Sequence, residues 1–162
     1  QDDLTQLTWG RWDEGFKGTA ALHWVADNNN TAEVVLPQTG EMNYSLSGGT
    51  APTDNLGNTG SLDAASLHAD FTRQTVTNDL SISIGGDSWQ ASGQGSINSG
   101  APVFSGDYQV IRNSGATGTG SFGGFFGGPA LPSGAPSGAG LGYSITSDGV
   151  TVDGAAAFKA NP

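Results

Sequence analysis

The sequence predicts an all-β fold: an eight-stranded antiparallel up-and-down β-barrel with a filled apolar core, preceded by an N-terminal β-hairpin. Three observations carry this. From Met42 onward apolar and polar residues alternate with a period of two, the repeat of a strand with one dry and one wet face. Turn-forming clusters such as Gly85-Gly86-Asp87, Asn98-Ser99-Gly100, Asn113-Ser114-Gly115 and Ser147-Asp148-Gly149 punctuate those runs. The chain has 27 glycines and only 12% charged residues, so amphipathic helices have little to be built from.

The elements follow in order. Residues 1–6 are polar and read as frayed. Residues 7–12 and 20–25 read as a hairpin rich in aromatic area, from Trp9, Trp12 and Trp24. Residues 32–36 read as a short edge strand ended by Pro37. Met42, Tyr44 and Leu46 then share one face, and residues 48–60 read as a long loop. Leu62 and Ala64 lie on one parity, whereas Leu67, Ala69 and Phe71 lie on the other. One extra residue near Ala65 and Ser66, a β-bulge, would restore the face. Val76, Leu80, Ile82 and Ile84 alternate with Thr77, Asp79, Ser81 and Ser83. Trp89 and Ala91 continue that dry parity through Gly93, Gly95 and Ile97, and Phe104, Gly106, Tyr108 and Val110 take it up next.

The segment from Ala116 to Ile145 anchors the reading. Gly118, Gly120, Phe122 and Phe126 fall on one parity against Thr117, Thr119 and Ser121. The chain is expected to leave the strand at Gly127-Gly128-Pro129 and to start the next at Leu141, with Tyr143 and Ile145. Val150, Val152, Ala156 and Phe158 close the pattern. These are eight strands, nearly all joined by short connections, and a meander of that kind leaves no unpaired edge if it closes. A barrel of this size is either filled by side chains or holds one small ligand. Its dry set includes Phe71, Trp89, Phe104, Tyr108, Phe122, Phe126, Tyr143 and Phe158, and the inward glycines give these rings room. Residues 1–36 are expected to pack on the barrel or extend it, and residues 37–162 to form the barrel, together one structural domain.

Charge bounds the partners. The net charge is −10, with five Lys and Arg in all, which repels nucleic-acid phosphates and anionic lipid. The dry parity carries several glycines and no aromatic girdles, so it makes a poor lipid-facing band and suits a water-soluble barrel without membrane insertion. There is no cysteine, hence no disulfide or thiol chemistry. The start at Gln1 without a leader-like segment reads as a mature chain or an excised domain.

One stretch carries a resemblance. Gly118-Thr119-Gly120-Ser121-Phe122-Gly123-Gly124-Phe125-Phe126-Gly127, then Pro129-Ala130, then Gly138-Ala139-Gly140-Leu141-Gly142-Tyr143, resembles the β-barrel domains of transferrin-binding-protein-B-like surface lipoproteins. There a G-x-F-[YF]-G turn and an Ala-containing turn precede a Gly-rich last hairpin. The likeness is closest to the barrel module at the C-terminal end of proteobacterial proteins with an N-terminal FecR-type domain. It covers residues 42–158 as strand pattern and 115–145 as motif; the usual Gly-Gly is Ala139-Gly140 here. The resemblance implies an eight-stranded barrel and an envelope or extracellular setting. It transfers neither iron nor transferrin binding, because the family's host-protein contacts lie in variable loops that find no match.

Candidate chemistry is sparse. Leu36-Pro37-Gln38-Thr39-Gly40 spells a sortase signal, but most of the chain follows it, so it reads as a turn into the Met42 strand. Gly118 to Gly123 fits G-x-G-x-x-G, yet no helix can start there to hold a pyrophosphate. His23 and His68, the only histidines, sit apart on wet parities and make a poor metal site. Asp13-Glu14, Asp54-Asn55 and Asp27 to Asn30 could offer oxygens to Ca²⁺ but lack EF-hand spacing. With that exception no cofactor is implied. Trp12 and Phe16 flank an acidic turn and are the candidate partner contacts, since exposed aromatics on a β scaffold can anchor a protein or stack on a glycan.

The expected function is therefore a non-enzymatic exported module for binding or scaffolding, working by its loops and outer wall on a protein or surface-glycan partner. Its setting would be the bacterial periplasm, the outer-membrane surface or the extracellular space. Three alternatives stay open: a lipocalin-like carrier of a small hydrophobic ligand such as haem, a carbohydrate-active or sugar-binding domain, and a self-assembling subunit that associates through its N-terminal segment.

Overall fold

A computed structural model describes residues 5–12, 21–28 and 33–162. Among the described residues all regular structure is strand. The strands are β1 (Leu7–Trp12), β2 (Leu22–Asp27), β3 (Glu41–Gly49), β4 (Thr53–Asp54), β5 (Ser61–Asp70), β6 (Thr75–Ile84), β7 (Asp87–Ile97), β8 (Val103–Arg112), β9 (Thr117–Ala130), β10 (Pro136–Ser147) and β11 (Val150–Asn161). β3 pairs with β5, pairing then follows chain order to β11, and β11 pairs back with β3. The result is a closed eight-stranded antiparallel barrel. The short β4 continues the place of β3 along β11, at Val152 and Asp153. β1 and β2 form a separate two-stranded sheet, so the hairpin packs on the barrel and does not extend its wall.

Alternation places the core. Tyr44, Leu67, Val76, Leu80, Ile82, Trp89, Tyr108, Phe126, Leu141, Ile145 and Phe158 are all buried in one cluster. The rings interlock: Phe104 lies 4.9 Å from Phe126, and Tyr108 lies 4.8 Å from Phe122, centroid to centroid. Gly93 makes this possible, because a Cβ there would stand 2.6 Å from Tyr108 and 2.7 Å from Phe122. Arg112 closes one end of the barrel, stacked 4.6 Å over the Trp89 ring and paired with Asp87. At the other end Val34 and Leu36 pack against the core.

The turns explain the register. Gly85 and Gly86, the two loop residues between Ile84 and Asp87, both have positive φ. So do Asp148 and Gly149, between Ser147 and Val150. Both are type I′ hairpins, whose twist matches the strands they join.

Several expectations need correction. Residues 33–36 form no strand; their apolar side chains serve as an end cap, with Val35 turned out to solvent. Ala32 lies outside the described residues. The β5 bulge falls between Leu62 and Ala64, earlier than expected. Asp63 is the extra residue, and its carboxylate accepts hydrogen bonds from the Ser61 and Ser83 hydroxyls at 2.5 Å each. Ala65, and not Ala64, therefore faces in. A second bulge in β3, where the pairing skips Ser47, had no signature in the sequence pattern. β3 runs to Gly49, so the loop expected from residue 48 begins later and contains β4. β9 and β10 run through most of the expected loop, because Gly127 pairs with Gly138 and Ala130 with Pro136. Thr5, expected to fray, is buried against Gly138 and Gly128.

Candidate functional site

The outward face of β9–β11 differs from the rest of the wall. Elsewhere outward positions are mostly Thr, Ser, Gln and Asp, as in Thr77, Asp79, Ser81 and Ser83 of β6, with Val103 and Ile111 of β8 as exposed apolar exceptions. On β10 they are Gly138, Gly140 and Gly142, and on β11 Ala155 and Ala157. The hairpin lies on this smooth strip. A Cβ at Gly138 would meet Thr5 at 2.9 Å and Leu7 at 3.1 Å, and one at Gly140 would meet Val25 and Phe125 at 2.8 Å each. The Trp9 ring lies against Gly48 of β3. Leu7, Ala155 and Ala157 are fully buried as a result.

Polar contacts fix the hairpin at both ends. The Gly128 N–H donates to the Asp27 carboxylate at 3.0 Å. His23 faces the barrel, with Nδ1 2.7 Å from Thr50 Oγ1 and Nε2 2.9 Å from Thr53 Oγ1. The Ala155 N–H donates to Thr50 Oγ1 at 3.0 Å, which ties the histidine to β11. His23 is thus a docking residue on the inner face of its hairpin, whereas parity had placed it on a wet face. His68 stays outside, Nδ1 2.9 Å from Asn43 Oδ1 on the neighbouring strand.

The other face of the hairpin looks to solvent and carries Trp12, Leu22 and Trp24. Trp12 is 57% exposed and Leu22 49% exposed. Trp12 and Trp24 stack with centroids 5.9 Å apart. Trp12 is therefore an exposed aromatic on the outer face of the docked hairpin. Phe16, the second candidate contact, lies outside the described residues.

The calcium candidates divide. Asp13, Glu14, Asn29 and Asn30 lie outside the described residues. Asp54 turns its carboxylate onto its own loop, accepting from the Leu56 and Asn58 N–H groups at 2.9 and 2.8 Å and from the Asn58 side-chain amide at 2.8 Å. Burial works against its ionisation, but these donors outweigh it and hold the carboxyl below its usual range. Asn55 reaches the β10–β11 turn, donating to the Gly149 carbonyl at 3.1 Å and accepting from the Thr151 N–H at 2.9 Å. Among the described residues no three His, Asp or Glu side chains gather as a metal group.

Sequence reasoning passed over one interior residue. Asn78 sits on the dry parity of β6 and is fully buried. Its amide donates to the Ser66 carbonyl at 2.7 Å, and the Tyr108 hydroxyl donates to its Oδ1. Burial pushes the Tyr108 hydroxyl far up from its ordinary pKa, so it stays a donor. The signal was available: Asn78 falls between Val76 and Leu80 on their own parity.

No protein-family model matches the chain, and no curated protein matches it.

Proposed function

We propose that this chain is an exported, non-enzymatic barrel module that binds or scaffolds through its outer wall and loops. The observation that carries the reading is the contrast between a ring-filled interior and an exposed Trp12, set against the half-buried Trp24, on a docked hairpin. Interlocked rings fill the lumen, whereas an exposed tryptophan provides apolar area for a partner. An outer wall of Ser, Thr, Gln and Asp favours water over a bilayer as its surroundings. The likeness of residues 118–143 to surface-lipoprotein barrels supports a periplasmic, outer-membrane-surface or extracellular setting.

The test is retention of envelope proteins and array-bound glycans on immobilised protein, wild type against Trp12→Ala. The expected result is a partner retained by wild type and weakened about tenfold or more by the substitution, the cost of losing a modest anchor. Folding stability should fall by about 0.5–1.5 kcal/mol, the worth of its ring contact with Trp24. Retention that ignores Trp12, or stoichiometric haem uptake seen in its absorption band, overturns the reading.

A further inference from the structure

A cleft of about 640 Å³ opens on the outer wall beside the hairpin. That volume is in the range of small-molecule sites. Its floor can be read from the strand registers. Gly123 of β9 pairs with Gly142 of β10, and Gly142 pairs with Ala155 of β11. Ala155 is buried under the hairpin, so the open floor is the Gly123–Gly142 pair, ~5 Å across one inter-strand spacing. The next outward row, ~7 Å along the strands, is Ser121, Ser144 and Asp153, again direct neighbours. Ala21, Leu22 and His23 form the wall on the hairpin side.

The floor is not explained by packing. Gly138 and Gly140 are bare because the hairpin occupies the space a side chain would need. Gly123 and Gly142 are different. A Cβ at Gly123 would meet nothing within 4 Å, and one at Gly142 only the Gly154 carbonyl at 3.9 Å. Mid-strand glycine weakens a sheet by about 0.5–1 kcal/mol relative to alanine, and two such residues stand side by side without a packing reason. The polar row is uncommitted as well: the Ser121, Ser144 and Asp153 side chains make no hydrogen bond or ion pair with the described residues. Asp153 is half-buried and borders a largely apolar cleft.

We infer that this cleft is a binding site for a small flat ring compound that lies on the Gly123–Gly142 floor and points a hydrogen-bond donor at Ser144 and Asp153. The floor admits a ring to van der Waals contact with the backbone of both glycines. The Asp153 carboxylate, in a chain of net charge −10, selects cationic or neutral rings over anionic ones.

One ring in three charge states tests this: tryptamine, indole and indole-3-acetate, each titrated into the full chain and followed by amide chemical shifts. Tryptamine and indole should give saturable shifts centred on residues 121–123, 142–144 and 153–154. Tryptamine should bind several-fold more tightly than indole, and indole-3-acetate more weakly than either. Gly142→Val fills the floor without a clash and should weaken all binding tenfold or more while the protein stays folded. Asp153→Asn should bring tryptamine to the affinity of indole and leave indole unchanged. Shifts that fail to saturate, that centre elsewhere, that persist in Gly142→Val or that are equal for the three probes overturn the proposal.

Discussion

Gly93 and Gly142 are both mid-strand glycines of one barrel, and they stand in opposite relations to their surroundings. Gly93 faces the core, where the rings of Tyr108 and Phe122 already fill the place of its side chain. Gly142 faces out, and the space above it is open. The same residue type thus marks a place where the protein is full and a place where it is empty. Glycine content alone separates neither; only the occupant of the missing Cβ position does.

Four changes break or sharpen the contrast, in descending order of effect. Gly93→Val should be the most damaging, since it drives a branched side chain into two rings. Denaturant unfolding should show a loss of about 3 kcal/mol or more, the upper range for overpacking. Tyr108→Phe removes the donor to buried Asn78 and should cost about 1–3 kcal/mol in the same assay. Gly140→Val should displace Val25 and so lift the hairpin from its strip. Hydrogen exchange should then quicken in β1 and β2 while β6 and β7 stay protected. Gly142→Val should be near neutral or stabilising, by up to about 1 kcal/mol, because it relieves backbone entropy in open space. A large loss there would show that the outer floor is packed after all.

Acid adds an independent check. The carboxyls of Asp54, Asp63 and Asp70 lie below their usual range: Asp54 through its loop amides against the pull of burial, Asp63 through Ser61 and Ser83, Asp70 through Arg73. A lowered native carboxyl stabilises the fold above its unfolded value of about 4 and loses that contribution as pH falls through its native value. Thermal unfolding midpoints should therefore be flat from neutral pH to about 5 and fall below about 4. Asp54→Asn should make that fall shallower.

Much of the architecture was legible because its signal is periodic. Ile82, Trp89 and Tyr143 alternate with hydroxyls and amides, and the glycine turns fixed which runs neighbour one another. What escaped has a physical reason in each case. A bulge changes pairing without changing composition, so Asp63 and Ser47 looked like ordinary strand residues. Pro129, Pro132 and Pro136 with their Gly and Ser neighbours look like loop, yet β9 and β10 pair as far as Ala130 and Pro136 and leave only residues 131–135 as the turn. The outward glycines carry no side chain to announce a face, so the hairpin's bed and the cleft floor were invisible to a reading of parity. Of the two aromatics proposed as contacts, Trp12 is exposed as its place beside the turn suggested.

The seam where β11 meets β3 has a kinetic meaning. Its contacts join distant parts of the chain: the hydroxyl of Ser45 donates to the side-chain carbonyl of Asn161 across 116 positions. Such a join must wait for almost the whole polypeptide to be made, and until then two raw strand edges stand open to mispairing. The hairpin crosses this late join, with Trp9 on β3 and His23 tied through Thr50 to β11. It acts as a latch over the last gap to shut, and its release would leave the cylinder most prone to unzip along that line.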